Sequence, residues 1–84
     1  MQMVRVVAPR ARGVELMGDF TDWRPVRLPA AGDGAWQMPF PMAPGIHRVN
    51  VRVDGGTWSA PPGLTAATDD FGGVVGLLPI GDGS

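Results

Sequence analysis

Three tryptophans, one histidine and no cysteine are the scarce chemical resources of this 84-residue chain, and two of the tryptophans stand in turn-like surroundings. Trp23 closes the stretch GDFTDW, and Trp58 follows Asp54-Gly55-Gly56. An indole is the largest flat apolar plate a protein owns, and the negative face of its ring attracts slightly positive C–H groups while both surfaces shed water. The flat faces of a glucose ring carry such C–H groups, so an indole presented on a turn suits saccharide stacking. The competing expectation for Trp23 is a lid folded over one end of the molecule; for Trp58 it is a cross-strand contact on an outward sheet face.

Catalytic chemistry finds little material. With His47 as the sole histidine, neither a nucleophile–histidine triad nor a two-histidine metal site can be assembled. Without cysteine there is no thiolate nucleophile, thiolate metal site or disulfide. Asp19, Asp22, Asp69 and Asp70 sit among Gly and Thr, where aspartate caps its own backbone, so a glycosidase pair is not expected. Asp69-Asp70 lacks the spacing of a calcium loop, and Gly32–Gly34 precedes no helix that would cradle phosphate. The expectation is a protein that is not an enzyme, with no cofactor and no metal.

The elements that must position the two indoles read as strands. Met3 to Ala8 is rich in β-branched residues and stops at Pro9; Val14 to Met17 forms a second short strand. The segment from Gly18 to Gly34 is mostly loop, with Val26 to Leu28 as a brief edge strand. Trp36, Met38 and Phe40 alternate on one face of the next strand, which makes Trp36 a core residue, and Phe20 is expected to be buried as well. In Ile46 to Val53 the pattern places Val49, Val51 and Val53 inward and Arg48, Asn50 and Arg52 outward. Asp54-Gly55 supplies the positive φ of a hairpin, Thr57 to Ser59 returns as a short strand carrying Trp58, and Ala60 to Gly73 reads as loop. Val74 to Ile80 is the last strand.

About seven short antiparallel strands without a helical period predict an all-β, immunoglobulin-like β-sandwich, with a closed barrel as the alternative. Residues 1–80 form one domain in this reading, and 81–84 a disordered tail. Thirteen glycines and nine prolines suit a loop-rich fold. Seven arginines against eight acids leave no basic footprint for nucleic acid, and no run is apolar enough for a membrane span. The expected setting is soluble, with the cytoplasm favoured over an otherwise open compartment.

VELMGDFTDW, GAWQMPF, PGIHRVNVRVDGGTW and DFGGVV occur here in the order and spacing of the family-48 carbohydrate-binding modules. The chain resembles that family, which includes the isoamylase N-terminal domain and the glycogen-binding domain of the AMP-activated protein kinase β subunit, from about Val14 to Leu78. The resemblance implies an early-set immunoglobulin-like sandwich that binds α-1,4-linked glucan, such as glycogen or starch, without catalysis. Trp23 and Trp58 match its two stacking tryptophans, Asn50 stands where the kinase-subunit domain has a sugar-contacting lysine, and Phe71 stands where it has a leucine that packs on sugar. Arg48 and Arg52, beside Asn50, are candidates to replace that lysine. The pattern is broken at Asn50, at Val75, where a polar residue is expected, and at Ala60-Pro61 after the second tryptophan. Two readings follow: a glucan-binding module, free-standing or attached to a partner enzyme or other protein, and a protein-docking module that uses the exposed tryptophans and a Phe40/Met42 edge after its sugar site has degraded.

Overall fold

The computed structural model describes residues 1–68 and 72–81. Eight strands follow in order: β1 (Gln2–Val7), β2 (Val14–Gly18), β3 (Val26–Arg27), β4 (Ala30–Gly32), β5 (Ala35–Phe40), β6 (Gly45–Val53), β7 (Thr65–Thr68) and β8 (Val74–Ile80). They form a three-stranded sheet, β1-β5-β4, and a five-stranded sheet, β3-β2-β6-β8-β7, with every pairing antiparallel. The two sheets pack face to face as a β-sandwich.

Period-2 alternation explains the interior. Val4 and Val6 of β1, Phe40 of β5, Val14 and Leu16 of β2, and Val49 and Val51 of β6 meet with Leu28 in one buried cluster. Trp36 and Phe20, expected in the core, pack against it but are only partly buried. Trp36 also donates its indole N–H to the Ala8 carbonyl at 3.1 Å, which satisfies the one polar atom the ring brings inside.

Several expectations need correcting. Thr65–Thr68, read as loop, pairs with β8 because an alanine- and threonine-rich edge strand has too little apolar alternation to announce itself. Ala30–Gly32 is likewise a strand, and Thr57 to Ser59 contributes only the isolated bridge Val51↔Ser59. Val53 keeps the inward face, opposite Val14 in register, but as the last residue of β6 it is 39 % exposed and borders an open groove along Ala8 to Ala11. Phe40 is buried and Met42 packs against the core, so these two residues offer no protein-facing edge. The tail expectation falls on residues 82–84, outside the described residues, whereas Gly81 is described and exposed.

Candidate functional site

The turn that carries Trp23 is held from within. After β2, Asp19–Thr21 makes one 3-10 turn. Thr21 Oγ1 accepts the Gly18 N–H at 3.0 Å and lies 3.1 and 2.9 Å from the carbonyls of Gly18 and Arg24, one of which takes its proton. The Trp23 N–H donates to the Gly18 carbonyl at 2.9 Å. Asp22 and Trp23 both have positive φ, 54° and 58°. Aspartate tolerates that region; for a bulky aromatic residue it is strained, and such strain persists only where surrounding bonds impose it. The result is an indole 42 % exposed, held away from the interior.

Trp58 is half-buried and is positioned by a different route. Asp54 and Gly55, with φ of 52° and 71°, make the two-residue turn that positive φ permits. Val51 and Ser59 then exchange both backbone hydrogen bonds, at 2.8 and 2.9 Å. Arg52 and Trp58 are therefore neighbours on the outer face of the five-stranded sheet, the face opposite Val49 and Val51. The Arg52 guanidinium carbon lies 4.6 Å from the Trp58 ring centroid. Arg52 also donates through Nε and Nη2 to Glu15 Oε1, at 3.1 and 2.9 Å. Glu15 pairs in register with Arg52 on one side and Arg27 on the other. A row Arg27, Glu15, Arg52, Trp58 thus crosses the outer face of three strands and ends on the indole.

Of the remaining candidates, Arg48 is exposed on the same outer face. Asn50 shares that face but not its solvent: it is 8 % exposed, and its Oδ1 has no hydrogen-bond partner. The expectation of a water-facing asparagine is corrected, because Met17 sits opposite it in register and Val75, next to Gly76 on β8, is buried too. Phe71 lies outside the described residues. Among the described residues no three His, Asp or Glu side chains come together in a way that would hold a metal ion, and no helix is long and apolar enough to cross a membrane.

Sequence reasoning missed two residues. Glu15 is the hub of the charged row, signalled only by its outward position on β2. Asp19 braces the Trp23 turn against β6, with Oδ1 2.8 Å from His47 Nδ1 and Oδ2 accepting the Arg48 N–H at 3.1 Å. His47, which as a lone histidine offered the sequence no triad or metal site, is the other half of that brace. Its Nε2 lies 2.6 Å from the Ala43 carbonyl, and its ring stands edge-on to Phe20.

No protein-family model matches the chain, and no curated protein matches it either.

The His47 brace has a pH dependence of definite sign. Both ring nitrogens face acceptors, and only the imidazolium can donate from both. The Ala43 carbonyl, then the Asp19 carboxylate, raise the His47 pKa above its ordinary 6.5, against a smaller opposing effect of burial. A raised folded-state pKa adds stability that is complete below 6.5 and is lost as pH rises through the raised value. Denaturation midpoints measured across that range should therefore fall with rising pH in the wild type. In Asp19→Asn the decline should be smaller, and in His47→Gln this contribution should be absent.

Proposed function

We propose that this domain is a non-catalytic α-1,4-glucan-binding module of the early-set, immunoglobulin-like kind, with Trp23 and Trp58 as its stacking plates. The observation that carries the reading is the division of labour among the tryptophans: Trp36 packs against the hydrophobic core, whereas Trp23 and Trp58 are absent from it. Trp23 is in addition held outward at the cost of a strained backbone, which is reasonable where the ring has work to do at the surface.

Magnitudes favour a weak binder. Stacking of a nucleobase on an aromatic ring is worth about 1–3 kcal/mol, and a sugar, lacking a π face, belongs near the low end. Two plates and a few hydrogen bonds then correspond to a dissociation constant on the order of millimolar. Arg52 covers part of Trp58 and is held by Glu15 as well; a guanidinium–indole contact is worth about 0.5–1 kcal/mol at an exposed site and about 2 when desolvated, and this half-buried one lies between. A sugar can therefore take the opposite ring face or displace the guanidinium without losing the whole gain. Arg48 and a displaced Arg52 are the hydroxyl donors of this reading; Asn50 contributes only if its side chain leaves its buried position.

The test is a tryptophan-fluorescence titration with maltoheptaose, using cellohexaose as the flat β-linked control. The expected result is a saturable change with the α-linked oligomer alone. Trp23→Ala and Trp58→Ala should each weaken binding by about fivefold or more, the value of one stack. Silence up to about 10 mM, above the affinity two stacks should reach, would remove the glucan reading.

A further inference from the structure

β1 is the outermost strand of its sheet, with β5 on one side and no described strand on the other. The direction of its backbone groups follows from the ladder. Ala8 donates its N–H to the Gly34 carbonyl at 2.8 Å, continuing the register Val6↔Trp36 and Val4↔Met38. In an antiparallel pair, hydrogen-bonded positions recur every second residue, so Val4 and Val6 bond to β5. The N–H and C=O groups of Met3, Arg5 and Val7 consequently point to the free edge. Among the described residues, no backbone hydrogen bond reaches them from that side.

A second feature lies alongside this edge. An apolar groove of about 280 Å³ opens between the two sheets, walled by Val4 and Val6 on one side and by Val49, Leu64 and Leu78 on the other. Above it, on the outer face, Met3 and Val7 are 57 % and 56 % exposed. Arg5 is the one usual protection this edge carries: β1 has no proline, bulge or lysine along its six residues. Its one charged side chain is Arg5, which is exposed and has no ion pair among the described residues.

We propose that β1 is an acceptor for an extended segment of another protein chain, which adds to the sheet as a fourth strand and carries the pattern apolar–acidic–apolar. The two apolar side chains lie beside Val4 and Val6 and enter the groove, while the acidic one lies beside Arg5 on the outer face. The alternation of side chains along a strand requires this arrangement in either strand direction. Arg5 also argues against a second copy of this chain as the occupant. Two-fold pairing centred on Arg5 sets the two guanidinium groups opposite each other, and centring on Val4 sets them on a diagonal; like charges so placed repel. The proposal is independent of the glucan reading, because the edge belongs to the other sheet.

Fluorescein-labelled peptides of sequence TTVEVTT and TTVKVTT are the probes, read by anisotropy against the whole chain. TTVEVTT should bind more tightly than TTVKVTT by about fivefold, the scale of one cross-strand charge pair changed from attractive to repulsive. Arg5→Glu should reverse that order, and because Arg5 is exposed this variant keeps the fold. Amide hydrogen exchange supplies the second reading: Met3, Arg5 and Val7 should exchange rapidly in the free protein and slow when TTVEVTT is added. Equal binding of both peptides, no binding of either, or protection confined to other strands would overturn the proposal. So would a sedimentation result showing the free protein to be a dimer with those three amides already protected.

Discussion

Leu16→Ala is expected to lower the unfolding free energy by about 2–5 kcal/mol. Leu16 has no exposed surface, belongs to the buried cluster, and faces Val51 and Val26 in register on its two sides. Truncation forfeits the transfer energy of the lost methyl groups and leaves a cavity. Neighbours on two hydrogen-bonded strands cannot move in to fill it, so the upper half of the range is favoured. A domain of this size is stable by only about 4–13 kcal/mol, so the substitution removes a large share of the total. Urea denaturation should show a lower midpoint at an unchanged slope. A loss below about 1 kcal/mol would mean that Leu16 is not the centre of the core.

Gly18→Ala comes next, at about 1–3 kcal/mol. The backbone at Gly18 is extended, so the added methyl carries no conformational penalty; the cost is steric. A Cβ there would stand 2.6 Å from the Arg48 carbonyl oxygen and 2.7 Å from the Phe20 ring. Neither can give way readily. Arg48 lies on the central strand β6, and the Phe20 ring is wedged edge-on against Phe40 with centroids 5.1 Å apart. The relief is a shift of the turn that follows, whose Trp23 N–H bonds to the Gly18 carbonyl. The indole N–H resonance of Trp23 should therefore move with the loss of stability. Gly81→Ala is the control: no atom lies within 4 Å of the added carbon, and stability should change by less than about 0.5 kcal/mol.

These two substitutions mark how far local pattern reaches. Leu16 as a core residue is legible from alternation along VELM, since side chains on a strand change face at every residue. The crowding at Gly18 is not legible, because it depends on which carbonyl of a distant strand passes beneath. The candidate site divides in the same way. GDFTDW announces a turn that presents Trp23, and Asp54-Gly55 announces the hairpin that returns Trp58. The row Arg27, Glu15, Arg52, Trp58 joins four stretches of chain and exists only once β2 has chosen its registers with β3 and β6.

Asn50 is the clearest case of tertiary override. Alternation puts it on the outer face with Arg48 and Arg52, and the structure keeps it there. Burial is a separate matter: an outward position faces water only if no other part of the chain lies over it, and alternation carries no information about that. His47 teaches the same lesson from the polar side, since its two acceptors come from Asp19, on another element, and from the turn before β6.

By itself, then, the sequence determined the all-β class, the positions of six of the eight strands, the inward residues of the core strands and the two turns that bear the indoles. Each of these follows from steric preferences and apolar alternation over a few neighbouring residues. The order of strands in each sheet, the weakly patterned β7, the burial of Asn50, the stack of Arg52 on Trp58 and the open edge of β1 were decided by tertiary structure. They depend on which distant segments pair, a choice made by the packing of the whole interior.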